Sequence, residues 1–589
     1  MQRNSESSGG WFRRASLRQG VLAIVVALLF FCGVPSLTFS AVSEPSVHSV
    51  PSVSSLPADS TDKEYFEIIK SIDLLGEVYR EVSKSYVDKL NVSGLMYAGI
   101  DGMLRTLDPY TVFLDENDSD ELDEMTSGQY VGIGISIASL DDEVFVSSVV
   151  DGYAAAKAGI RVGDSIVSIN NERVRKMSLD KVKALIKGVA GTPLHFQLER
   201  QGLPPFSARL TREEVRLSTV SYSGIFGAVG YIEMKSFGAR STADLREALQ
   251  GLVRQAAEQH LPLKGIILDL RNNPGGLLTV AVDVSSLFVP SGSAVVSIRG
   301  RSAKLDKSFV TETPPLDAQL PLAVLINTQS ASAAEIVAGA MQDLDRGIVI
   351  GERSYGKGLV QSVVRLSYNT AVKVTTSKYY TPSGRLIQKE SNNAVSELRK
   401  VLSTSHEGKA SEVFYTKGKR KVYGGGGIMP DIQLSEQATS PYLSELRKRG
   451  LLFLFSSAYR STHPLIPSQP IDRPALMALF ADFLRGKKFV YTSESERRFN
   501  ELKESMKKVQ PENTERSQSL TLLLQEIEQF KKQEIQKESA SVAQELEVEV
   551  LRHYDERMAR KAELDHDLVV KKAVELLSDS LKYAQILHP

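Results

Sequence analysis

The chain is predicted to hold an α/β (mixed α+β) core with a smaller β-rich module inserted ahead of it. Helices precede that module, and a helical extension closes the C-terminus. Three observations carry this. Short, nearly continuous apolar runs, Gly265 to Leu270 and Leu322 to Ile326, each end in a polar or Gly-rich turn that opens into helix-forming sequence. Strand, turn, helix is α/β grammar. Ser241 to Glu258 carries Leu245, Leu249, Leu252 and Val253 at amphipathic spacing just before the first of these strands. From Tyr442 onward the pattern is helical, and it is highly charged after Thr492. A length of 589 residues exceeds one core, so several domains are expected.

Composition narrows the function. Acidic and basic residues balance at 71 each, so no global charge argues for nucleic acid. The one cysteine, Cys32, allows neither a disulfide framework nor a Cys-based metal or thiol site. No HExxH is present, and no Gly-x-Ser-x-Gly marks an α/β-hydrolase.

Residues 1–41 have the organisation of an export signal. Arg13, Arg14 and Arg18 precede an apolar stretch from Val21 to Val34, and Thr38, Ser40 and Ala41 offer small residues for cleavage. A retained anchor is the alternative, because 21–41 is nearly long enough to span a bilayer. Leu29-Phe30-Phe31-Cys32 is a poor lipoprotein box, with phenylalanines where small residues are wanted. Residues 42–61 form a Ser/Pro linker. Phe66, Ile69, Ile72, Leu75, Tyr79, Val82 and Tyr86 predict a helix, and a second runs from about Leu95 to Leu107, stopped by Asp108-Pro109. Both suit packing or dimerisation rather than chemistry.

Tyr130-Val131-Gly132-Ile133-Gly134-Ile135 resembles the Gly-x-Gly-apolar loop with which PDZ domains receive a peptide carboxylate on backbone N–H groups. Ala158-Gly159-Ile160-Arg161-Val162-Gly163-Asp164, followed by Ile166-Val167-Ser168-Ile169-Asn170, is similar to a second PDZ signature in the right order. The resemblance implies that Val131, Gly132, Ile133, Gly134 and Ile135 bind a protein C-terminal tail by strand addition.

Two segments of the core carry candidate chemistry. Leu322 to Ile326 ends in a turn holding Ser330 and Ser332, then the helix formers Ala333 to Met341. A serine there is either an N-cap or an exposed nucleophile beside free N–H groups. After a short strand, Gly347 to Gly351, Lys357 lies between Gly356 and Gly358, with Gln361 four residues on. Gly351 to Lys357 also fits most of a P-loop, but Gly358 stands where a Mg²⁺-binding Ser or Thr is required, and Leu359 to Leu366 reads as strand. Upstream, Arg271 to Gly276 is a Gly-rich turn whose N–H groups can approach phosphate or an oxyanion.

Together these segments resemble the C-terminal processing peptidases, or tail-specific proteases. Leu107-Asp108-Pro109-Tyr110-Thr111 is similar to the family's LDPHS stretch, with Tyr110 and Thr111 as departures. DLRNNPGG (269–276), SASAAEI (330–336), GKGLVQ (356–361), YYTPSGRLIQ (379–388) and GGGGIMPDI (424–432) match family motifs. The match covers about residues 65–435.

The resemblance implies that Ser332, not Ser330, is the nucleophile, that Lys357 is the general base and that Gln361 positions the amine. Ala333 with Gly275 or Gly276 would hold the oxyanion. No histidine lies in this region, and a desolvated lysine can serve as base. Lys187 occupies the position of a basic residue that relays tail binding in some members. The expected organisation is a signal or anchor (1–41), a linker (42–61), a helical region (62–117), a PDZ domain (118–205), a protease core (206–437) and a helical extension (438–589). That extension would dimerise, cap the protease or dock a partner. The implied protein is exported, periplasmic or envelope-associated if bacterial. It takes protein tails as substrate, works as a homodimer or with an adaptor, and needs no cofactor, metal or nucleic acid. A catalytically inactive PDZ scaffold of the same fold is the alternative.

Overall fold

The computed structural model describes residues 62–389, 412–435, 439–509 and 514–588. The export signal and the Ser/Pro linker lie outside them. Among the described residues no helix is long and apolar enough to cross a membrane. The chain divides after Val92 into two units. In the first, the helix Asp62–Ser85 is followed by a turn in which the Tyr79 hydroxyl donates to the Val92 carbonyl at 2.9 Å.

The second unit holds three cores. The β-rich module is an antiparallel sheet in the order Ile135–Leu140, Glu143–Val149, Ser165–Ile169, Pro193–Glu199 and Phe206–Thr211, closed by the helix Leu179–Ile186. Strict alternation in Pro193–Glu199 turns Leu194, Phe196 and Leu198 inward, onto Ile133, Val146, Ile169 and Val182. A ribbon, Gln129–Gly132 with Glu213–Arg216, and the helix Glu116–Ser127 join this module to the rest.

The second core is a six-stranded sheet in the order Val220–Phe226, Val229–Met234, Gly265–Asp269, Leu322–Ile326, Ile348–Gly351 and Ile432–Gln433. The first pair is antiparallel and the others parallel. Its central strands are buried throughout, which is why they read as unbroken apolar runs. Helices Ser241–Glu258, Leu278–Ser286 and Ala333–Asp343 cover one face.

The other face is covered from the far end of the chain. Val569, Val570, Ala573 and Leu577 of the helix Leu568–Ser578, with Leu587, pack on Tyr231, Ile267, Ala323 and Ile350. Each Val, Leu or Ile side chain among them stabilises by about 1.5–3 kcal/mol on burial. The end of the C-terminal extension is therefore the second layer on the six-stranded sheet. The rest of it forms the third core around Leu446, Phe455, Phe480 and Leu546, and includes the long helix Thr514–Arg552. This bundle rests on the β-rich module, with Phe453 edge-on to Phe145 at 5.8 Å.

A further sheet brings the remaining site residues. Ala371–Tyr380 pairs with Val112–Leu114, Leu359–Arg365 and Ala294–Gly300. The motifs near 385 and 431 act as buried clamps on the helix Ala333–Asp343. Arg385 donates to Asp343 and Gln342 at 2.7 Å each, and Asp431 accepts from Gln342 at 2.9 Å.

Candidate active site

The two serines of the turn have opposite fates. Ser330 is fully buried; its Oγ donates to the Leu270 carbonyl at 2.8 Å and accepts from the Asn327 N–H at 2.9 Å, so it ties two strands together. Ser332 caps the helix Ala333–Asp343 with φ 55° and ψ −115°, a backbone that non-glycine residues rarely adopt. It is partly exposed and lines a cleft of about 670 Å³ together with Ala333, Gly276, Lys357 and Gln361.

One carboxylate joins the serine turn to the lysine loop. Glu335, third residue of the helix, is fully buried. Its Oε2 accepts from the Ser332 N–H at 2.8 Å and the Lys357 N–H at 2.9 Å. Its Oε1 accepts from Ser354 Oγ at 2.5 Å and the Gly356 N–H at 2.7 Å. Burial pushes this carboxyl up to about 7 against the pull of those donors. Tyr379 adds a second bridge, its buried hydroxyl donating to the Ser332 and Lys357 carbonyls. Neither residue was singled out from the sequence. For Glu335 a signal existed: Ser332-Ala-Ala-Glu335 has the spacing of a capping box.

Lys357 is largely buried. Burial, with the like charge of Lys373, brings its ammonium down to about 8, while Glu335 and Asp108 oppose the shift. Its Nζ makes no hydrogen bond or ion pair among the described residues and lies 5.0 Å from the centre of the Tyr110 ring. Gln361 lies in the same cleft, but its amide donates to Thr375 Oγ1 at 3.5 Å rather than to the lysine.

The Gly-rich turn reaches the serine from the neighbouring strand. A Cβ on Gly275 would stand 2.8 Å from Ser332 Cβ and 2.9 Å from the Ala333 nitrogen. Glycine is therefore required there on contact as well as on its φ of 100°. The Gly275 N–H, expected as one of two candidate oxyanion donors, is committed to Asn273 Oδ1 at 2.9 Å. The Gly276 and Ala333 N–H groups donate to no described group. Arg271 anchors the base of this turn between Asp269, at 2.6 Å, and Asp567 of the C-terminal extension, at 2.7 Å.

The peptide-binding candidates Val131, Gly132, Ile133, Gly134 and Ile135 form the end of one strand, a turn and the start of the next. Gly134 takes φ 77°, and a Cβ there would meet Tyr153 at 2.7 Å. Beside them a groove of about 680 Å³ runs between Ile135–Leu140 and the helix Leu179–Ile186. The helix Glu116–Ser127 walls it with Glu121, Leu122 and Glu124. Leu122, with Asp123, Thr126 and Ser127, also lines the Ser332 cleft. Lys187 ends the groove helix and pairs with Glu124 at 2.7 Å. Among the described residues no cluster of His, Cys, Asp or Glu is arranged to hold a metal.

Comparison with known proteins accounts for all three cores. Residues 228–395 match the model of peptidase family S41, 122–199 that of the PDZ domain, and 442–577 that of a probable PDZ-protease C-terminal helical domain. The carboxy-terminal-processing protease of Bartonella bacilliformis is 35% identical over 320 residues, 54% of this chain and 73% of that protein. The carboxy-terminal processing protease CtpA of Bacillus subtilis is 31% identical over 319 residues, 54% of this chain and 67% of that one. Among solved structures, the photosystem II D1 C-terminal processing protease is 28% identical and covers 68% of this chain and 99% of its own, with a TM-score of 0.32. With an S41 core, a PDZ domain and relatives matched over most of their length, the chain belongs to the carboxy-terminal processing proteases, a family of serine peptidases.

Proposed function

We propose that this protease is exported and cleaves proteins presented by their C-terminal tails, with Ser332 as nucleophile and Lys357 as general base. The observation that carries the reading is the single Glu335 oxygen that accepts from the N–H groups of both Ser332 and Lys357. It fixes two segments 25 positions apart as one site. Export rests on the basic and apolar patterning of residues 1–41.

The chemistry balances with these groups. Lys357, neutral, takes the Ser332 hydroxyl proton as Oγ bonds to the scissile carbonyl carbon. The oxyanion is held by the Ala333 and Gly276 N–H groups. Collapse breaks the C–N bond, and the Lys357 ammonium returns its proton to the leaving amine. Water then attacks the acyl-enzyme, giving a proton to Lys357; collapse breaks the acyl C–Oγ bond, and the Lys357 ammonium returns that proton to Ser332 Oγ. Gln361 orients the amine without carrying charge, whereas a carboxylate there would favour the ammonium. Because the neutral amine is required, kcat/KM rises with pH through about 8.

The tail adds a strand to Ile135–Leu140 and sets its carboxylate on the 131–135 turn. Lys187 and Glu124 pass its arrival to the helix that lines the cleft. The test is cleavage of a reporter with an unfolded tail. Ser332→Ala and Lys357→Ala should each lower kcat by about 10³-fold or more. Undiminished cleavage by either variant refutes the dyad. A wild type that binds the tail and leaves it intact refutes catalysis altogether.

A further inference from the structure

The mechanism above gives Tyr110 no task. Its ring faces the Lys357 amine, with the ring centre 5.0 Å from Nζ. The loop that bears it is tied down from both sides. Asp108 Oδ1 accepts from the Tyr110 and Thr111 N–H groups at 2.8 Å each, and Asp108 Oδ2 from Thr111 Oγ1 at 2.8 Å. Thr111 Oγ1 accepts in turn from the Thr375 N–H at 3.2 Å. The next residues, Val112–Leu114, pair with Ala371 to Lys373, so the ring is fixed to the strand that brings Lys373 and Tyr379 to the site. The phenol is half-buried, and burial with the nearby Tyr355 holds it neutral.

We propose that Tyr110 is the wall that keeps water from the Lys357 amine, and so a positioning residue that acts through the base. The proposal rests on the assignment of Lys357 as base. An apolar wall disfavours the ammonium, whereas the π face of the ring favours it. The charged groups facing the amine are Lys373, which also disfavours the ammonium, and Glu335 and Asp108, which favour it. Burial is the largest of the influences that lower this amine, and the Tyr110 ring is part of what covers it.

The experiment is kcat/KM against pH for the full chain on the tail reporter, with Tyr110→Ala, Tyr110→Leu and Tyr110→Phe. Removing the wall in Tyr110→Ala should move the acid limb about one pH unit higher, lowering the rate about tenfold near pH 7, with recovery near pH 10. Tyr110→Leu, which keeps apolar bulk without a π face, should hold the limb at or just below that of wild type. Tyr110→Phe should leave it in place. An equal loss at every pH in Tyr110→Ala, or a limb moved downward, overturns the proposal. If Tyr110→Ala does not fold, a limb raised in Tyr110→Leu overturns it instead. Lys357→Ala separates the two levels. Retained activity there removes the base itself, whereas an inactive Lys357→Ala beside an unmoved Tyr110→Ala limb removes only the wall.

Discussion

The helix Glu116–Ser127 has a cavity on each side, of nearly equal size and opposite construction. The Ser332 cleft is held by buried, fully engaged polar groups: Glu335 with four donors, Tyr379 with two carbonyls, Arg271 between two carboxylates. The groove beside 131–135 has walls of mixed apolar and charged side chains and is closed by the ion pair of Lys187 to Glu124, with both side chains about one-third exposed. Breaking a buried polar group costs about 1–3 kcal/mol for each donor left unmade, whereas an exposed ion pair contributes about 0–1 kcal/mol. On the proposed reading, the side that does chemistry is expensive to distort and the side that recognises a tail is cheap to open.

Glu335→Gln attacks the expensive side and should have the largest effect. An amide cannot accept at both ends, so either the Ser332 and Lys357 N–H pair or the Ser354 and Gly356 pair loses its acceptor. Two orphaned donors lower stability by about 2–6 kcal/mol, and a displacement near 1 Å at the serine lowers kcat about 10²-fold. The carboxyl also has a pH signature. Its value in the folded state is raised to about 7, so the stability it confers is complete below the ordinary carboxylate range and is lost as pH rises through about 7. Melting temperatures measured from about pH 5 to 8 should fall less steeply in Glu335→Gln than in wild type. Parallel slopes would show that this group does not titrate as its burial demands.

Gly276→Ala tests the same side at a single contact. A Cβ there would lie 2.3 Å from the Phe237 carbonyl oxygen, and the backbone at φ 147° would have to move. Displacing one oxyanion donor lowers kcat by about 10²–10³-fold. KM should change little, because the ground-state carbonyl does not depend on that donor. A variant with raised KM and preserved kcat would place the glycine in substrate binding instead.

The contrast also explains what the sequence made legible. The apolar pattern located the helix Ser241–Glu258 and the strands Gly265–Asp269 and Leu322–Ile326, because buried faces impose it strictly. The choice of Ser332 over Ser330 came from motif resemblance; the physical ground for it, Ser330 spent on the Leu270 carbonyl, needs the strand alignment. Glu335 read as one more helix former because its other three donors lie outside its own turn, all of them about twenty residues on. Gln361 could be placed in the cleft, but its partner, Thr375, follows from strand pairing. The helix Leu568–Ser578 fell within the expected helical extension, yet nothing along the chain said that its apolar face would land on strands more than two hundred residues earlier.

The cheap side calls for a smaller perturbation. Lys187→Ala removes an ion pair, so its cost in global stability should stay within about 1 kcal/mol. Its effect should appear in the ratio of cleavage rates with and without an added tail peptide. That ratio should fall by about two- to fivefold, a coupling near 0.5–1 kcal/mol. Glu124→Ala should lower it to the same extent, and the double variant no further, because each single change already severs the one link. Additive losses would mean that the two residues act separately, and an unchanged ratio that the groove signals through another contact. Leu122 would then be the next candidate, since it lines both cavities and moves with the helix whether or not the ion pair is made.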